Sequence, residues 1–198
     1  MNNEYFDDYL KYEKSGVKAK ARESLDAFIK SFGTYAEKEA WTREHLPELE
    51  LNHPGRIRHE LFDRIVFPVL LQGYRDRDIG LMVWLVRLSQ NLYQHEKSWA
   101  MINYKTDLQI IRECYHLDPC NSEVRELYLE IEIRGILYSI HEWPSGILIG
   151  NNGASAEECR ELLEGIPLLR FMDWDKKYGD IISDYEDKLR EYIGRWEE

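Results

Sequence analysis

The sequence predicts an all-α protein, a single-domain antiparallel helical bundle or irregular helical solenoid of about eight or nine helices. Three observations predict it. Apolar residues recur every three or four positions through most of the chain, the period of one helix face. Short clusters of Gly, Pro, Asn and Asp separate these stretches. No long strand-like alternation competes with them. Hydrophobic residues make up 43% of the 198 and aromatics 13%, enough for a real core and against intrinsic disorder.

The elements follow in order. Residues 4–14 form a short first helix. In the next, Val17, Ala21, Leu25, Phe28, Ile29 and Phe32 share a face, and Gly33 ends it. A third runs from Thr34 to about His45, before a turn at His53-Pro54-Gly55. Residues 58–72 carry Leu61, Phe62, Ile65, Val66, Val69 and Leu70, with a kink or break expected at Pro68. Residues 78–93 are apolar nearly all round, which marks the most buried helix. A long amphipathic helix is expected over 99–117, stopped by Asp118-Pro119, and another over 123–141. Trp143-Pro144-Ser145-Gly146 reads as a turn, Ile147-Leu148-Ile149 as briefly extended, and Asn151-Asn152-Gly153 as a loop. Ser155 with Glu158 spells a capping box for a helix that Gly165 ends. The last helix carries Trp174, Tyr178, Ile181, Tyr185, Leu189, Tyr192 and Trp196 along one stripe, so it is expected to lie on the body of the protein.

The charge is distributed unevenly. The net charge is -11, and all of it lies after Lys105: residues 1–106 hold 16 acidic and 16 basic side chains, residues 107–198 hold 21 and 10. The first part reads as a charge-balanced scaffold and the second as an acidic helical half that meets a partner. An acidic surface repels phosphate, so nucleic acid is not expected as a partner. The first ten residues have no apolar core of a signal peptide, and the apolar stretch 79–88 is too short to span a bilayer. Cys114, Cys120 and Cys159 have no paired spacing and read as reduced thiols of a cytoplasmic protein.

Asp173, Asp180, Asp184, Asp187 and Glu191 fall within a narrow sector of the last helix, away from the aromatic stripe. They make a candidate acidic ribbon for a basic partner, and equally suit a solvated face partly neutralised by Lys177, Lys188 and Arg195. Glu157, Glu161 and Glu164 on the preceding helix extend the candidate binding set; Glu157 and Glu158 also suit that helix's positive end.

Chemical signatures are sparse. Glu113 and His116 have the i, i+3 spacing of di-iron bundles, with Glu126 and Glu130 as conceivable carboxylate partners, but a second Glu-x-x-His pair is missing. His141-Glu142 suits a helix end as well as a general base. His53, Arg56, Arg58 and His59 form a small basic loop, open to an anion or simply solvated. No phosphate-binding glycine loop, dinucleotide fingerprint, nucleophile elbow or His-Glu-x-x-His run is present. No catalytic residue, cofactor or metal ligand set is therefore predicted.

The run Leu117-Asp118-Pro119-Cys120-Asn121-Ser122-Glu123 resembles the junction between tetratricopeptide repeats, and Arg125-Glu126-Leu127 returns as Arg160-Glu161-Leu162 close to that family's period. The resemblance implies a peptide-binding scaffold without catalytic residues. The repeat's Trp, Gly and Tyr positions are not matched. In size, acidity, helicity and lack of catalytic motifs, the chain is similar in character to small acidic bacterial immunity proteins. The expectation is a non-enzymatic cytoplasmic protein-binding module, most concretely one neutralising a basic toxin domain. The alternatives are a helical metal-carboxylate enzyme or hydrolase and a tetratricopeptide-like adaptor.

Overall fold

The computed structural model describes residues 1–52 and 57–197. It is 75% helical and almost free of strand, an all-α fold with nine helices of seven residues or more among the described residues. The expected turn at His53-Pro54-Gly55 lies outside the described residues, as do His53 and Arg56 of the basic loop. The chain forms two compact units, Met1–Cys114 and Tyr115–Glu198. The charge follows that division. The first unit holds 18 acidic and 17 basic side chains, the second 19 and 9.

In the first unit, α1 (Asn3–Lys14), α2 (Lys18–Lys30) and α3 (Tyr35–Asn52) meet around aromatic rings. The Phe6 ring centroid lies 4.9 Å from Phe28 and 5.1 Å from Trp41, and His45 stacks on Trp41. Ala21, Leu25, Phe28 and Ile29 are buried, the face that the periodicity selects. Helix α3 outruns its expected end near His45 and continues through Pro47.

The expected irregularity at Pro68 takes a specific form. A helical turn α4 (His59–Leu61) leads into a π-helical segment, Phe62–Val66, and then α5 (Phe67–Asp76). Proline has no N–H for the carbonyl of Arg64, four residues back. The ammonium of Lys38 donates to that carbonyl at 2.9 Å instead. The segment is neither split nor simply kinked; the wider π turn absorbs the proline. Helix α5 ends with Arg77 in the left-handed region (φ 58°), and the amides of Arg77 and Asp78 cap the carbonyls of Tyr74 and Gly73.

Two long helices expected from the sequence are each divided. Residues 78–93 form α6 (Ile79–Arg87) and α7 (Ser89–Tyr93), because Leu88 leaves helical geometry (φ -96°, ψ 19°). Helix α6 still buries Leu81, Met82, Val83, Leu85 and Val86. Residues 99–117 form the end of α8 (Glu96–Ala100) and α9 (Asp107–Leu117), which runs across the boundary of the two units. Between them Asn103 and Tyr104 have positive φ, and the Trp99 indole donates to the carbonyl of Lys105 at 2.8 Å.

The second unit comprises α10 (Ser122–Ser139), a two-residue hairpin of β1 (Leu148–Ile149) and β2 (Asn152–Gly153), α11 (Ala156–Met172) and α12 (Gly179–Glu197). Asn121 caps α10 by accepting the amide of Val124. Asn152 and Gly153, expected as loop, pair antiparallel with β1 around Gly150, whose φ of +58° permits the tight return. The Ser155–Glu158 capping box is present. Gly165 does not end its helix: α11 continues through Gly165 and Pro167 because the buried Ile166, Leu169 and Met172 anchor its later turns. The aromatic stripe of the last helix is shorter than expected. Helix α12 starts at Gly179, so Trp174 precedes it, and Ile182, Tyr185 and Leu189 are its buried residues.

Candidate functional site

Two features of the described residues offer chemistry or a surface. The first lies in the Met1–Cys114 unit. Asn91, 2% exposed on α7, accepts the amide of Ile57 through Oδ1 and donates to the Ile57 carbonyl through Nδ2, both at 2.8 Å. This fixes the backbone two residues before His59. Asp63, one turn on in the π-helical segment, has Oδ2 3.6 Å from His59 Nε2. His95, at the N-terminus of α8, places Nδ1 2.8 Å from Asp63 Oδ1. Ser98 Oγ donates to the same carboxylate oxygen at 3.4 Å. The two imidazole centroids are 3.7 Å apart. The donor atoms of His59, Asp63 and His95 all lie within 4.8 Å of one another, the one such group of three among the described residues. His59 also lines a cavity of about 400 Å³ with Glu13, Ile57, Arg58, Glu60, Asn91 and Gln94.

Sequence reasoning placed His59 only in a basic loop and missed Asp63 and His95. The i, i+4 spacing of His59 and Asp63 was the available signal. His95 is 32 positions beyond Asp63, and only the fold brings it close. The Glu-x-x-His candidate is otherwise engaged. Glu113 binds Lys105, and its Oε2 accepts from the Tyr74 hydroxyl at 3.0 Å. These bonds, to Glu113 first and Tyr74 second, raise the Lys105 pKa. Glu130 faces Lys177 at 3.7 Å, and His116 and Glu126 are exposed. His141 is exposed beside Glu142, 3.1 Å away.

The second feature is the acidic face of the Tyr115–Glu198 unit. Asp173 does not belong to it. Asp173 is 4% exposed, sits at the end of α11 and accepts the amide of Tyr178 through both carboxylate oxygens. It builds the turn between α11 and α12. Asp180, Asp184, Asp187 and Glu191 are exposed along α12. Lys188 pairs with Asp184, and Arg195 with Glu191 at 2.8 Å, the partial neutralisation expected from spacing. On α11, Glu157, Glu161 and Glu164 are exposed, and Glu157 pairs with Arg160 at 2.9 Å. Among the described residues no cation pairs with Asp180, Asp187, Glu161 or Glu164.

The same face of α11 continues into Leu168 and Phe171, at spacings of four and three residues. Phe171 is 73% exposed. Trp174 just beyond is equally open, with the Arg125 guanidinium stacked 3.5 Å from its ring centroid. The sequence listed the aromatics but could not say which stay outside, since exposure depends on where the helix starts and how it is rotated. No family model matches the chain, and no curated protein or solved structure matches it. No helix among the described residues is long and apolar enough to cross a membrane.

Proposed function

We propose that this protein is a non-enzymatic cytoplasmic binding module whose acidic unit engages a basic protein, most concretely an immunity-type partner that neutralises a toxin domain. One observation carries the reading: a single face of α11 runs from the exposed Glu157, Glu161 and Glu164 to the exposed Leu168 and Phe171. Large apolar side chains left in water next to exposed carboxylates are the ingredients of a binding interface. The carboxylates of α11 and α12 would steer a cationic surface into encounter, and Phe171 and Trp174 would anchor it once docked. Neutralisation would follow from occlusion of the toxin's active surface.

The experiment is a pull-down at low and high salt, followed by association kinetics with the basic protein recovered. Reversal of Asp180, Asp184 and Asp187 to Lys is expected to slow association and flatten its salt dependence. Phe171→Ala is expected to speed dissociation by about tenfold. A partner whose rates respond to neither change would overturn the reading. The gene's neighbourhood offers a further check, since a toxin reading frame immediately upstream is what the proposal expects.

A further inference from the structure

We propose that His59, Asp63 and His95 form a binding site for one divalent transition-metal ion. Nothing in this inference rests on the acidic surface, because all three residues belong to the other compact unit.

The donor set is the first argument. Two imidazole nitrogens and one carboxylate suit zinc, iron, cobalt or nickel, whereas calcium and magnesium select oxygen ligands. Geometry is the second. Donors around a tetrahedral ion with bonds near 2 Å lie about 3.3 Å apart. Here each imidazole lies against its own oxygen of the Asp63 carboxylate, His95 2.8 Å from Oδ1 and His59 3.6 Å from Oδ2, and one donor atom from each of the three residues fits within 4.8 Å. Small side-chain rotations bring them onto a common ion.

The scaffold is the third argument. The three ligands come from separately fixed places. Asn91 clamps the chain entering His59. Asp63 sits in the π-helical segment, a wide turn of the kind that recurs at functional sites. The backbone of His95 is held at both sides, its amide on the Leu92 carbonyl and its carbonyl on the Trp99 amide. Ser98 holds the Asp63 oxygen that faces His95, an outer contact that orients a ligand carboxylate. Three protein ligands leave coordination positions open, as in catalytic rather than structural zinc sites. The cavity beside His59 has room for water.

Titration of the full-length, metal-stripped protein with zinc against a chromophoric chelator tests the site, with cobalt absorption as a second readout. One equivalent of zinc per chain is expected, with a cobalt visible band of tetrahedral or five-coordinate intensity. His59→Ala and Asp63→Asn should each weaken binding at least about tenfold, since even outer-shell changes cost that much. His59 is exposed, so its variant keeps the fold, which circular dichroism verifies. His116→Ala should bind zinc as the parent does. Absence of stoichiometric binding would overturn the proposal. Binding that survives both His59→Ala and Asp63→Asn, or that fails equally in His116→Ala, would overturn it too.

Discussion

Asn91 holds Ile57 the way one strand holds the next: its side-chain amide gives and accepts a backbone hydrogen bond, each 2.8 Å long. The two residues are 34 positions apart, so this buried side chain ties the entry to α4 onto α7. It thereby fixes the separation of His59 from the α7–α8 connection that carries His95.

Truncation of this clamp strands two buried backbone groups without partners. Asn91→Ala is expected to lower unfolding free energy by about 2–4 kcal/mol. Asn91→Asp keeps an acceptor for the Ile57 amide but loses the donor for its carbonyl. Chemical denaturation should place it between the parent and the alanine variant only if its new charge stays partly hydrated; a fall larger than that of alanine would indicate a charge buried without compensation.

Gly73 marks the closest approach of α5 to α6. A Cβ there would lie 2.4 Å from the Leu81 Cβ and 2.5 Å from one of its methyls. The first of these atoms cannot rotate away, so the helices themselves must shift. Gly73→Ala is expected to destabilise by about 1–3 kcal/mol despite its gain in helix propensity. Adding Leu81→Ala should not rescue it, because alanine retains the clashing Cβ; thermal unfolding of the double variant checks this.

These two positions show what a sequence does and does not disclose. The buried faces of α1 and α2 follow from a local period, and the capping residues Asn121 and Ser155 each act on an amide three positions away, so both are readable from neighbours. The break at Leu88 has no Gly or Pro to announce it, and it lies between two buried stretches whose packing sets it. Gly165 is a plausible stop by composition, yet the burial of Leu169 and Met172 carries the helix onward. Asp173 has the right phase for the acidic ribbon, but the phase has no meaning where the helix has not begun. The His59 and Asp63 pair lies on one helical stretch, but His95 comes from a second segment 32 positions on, which the Asn91 clamp ties to the first.

The three cysteines separate by accessibility. Cys114 and Cys159 are fully buried, and Cys120 is exposed in the turn before α10. Burial, reinforced by the Glu113 charge, pushes the Cys114 thiol up to about 12. Burial and then Glu158 raise that of Cys159. Since the thiolate is the reactive form, a disulfide reagent at pH 8 should titrate one thiol quickly in the native protein. The other two should appear only in denaturant. Two fast thiols without denaturant would show that one of the helices α9 and α11 opens under native conditions.

Acid should destabilise the protein through a small set of held carboxylates. The amides of Gly33 and then Thr34 lower the pKa of Glu37, the backbone amide and then the hydroxyl of Ser155 lower that of Glu158, and Arg190 followed by Arg170 lowers that of Glu186. Each group therefore binds its proton less readily in the folded than in the unfolded chain. The stability they contribute is complete above the ordinary value of 4.5 and is lost as pH falls through their lowered folded values. Glu158→Gln and Glu186→Gln should accordingly be less stable than the parent at pH 7, with the gap closing as acid protonates the parent's own carboxylates. Urea midpoints measured from pH 7 down to pH 3 test this. A gap of constant size across that range would mean that shape or hydrogen bonding, not charge, is what the two glutamates contribute.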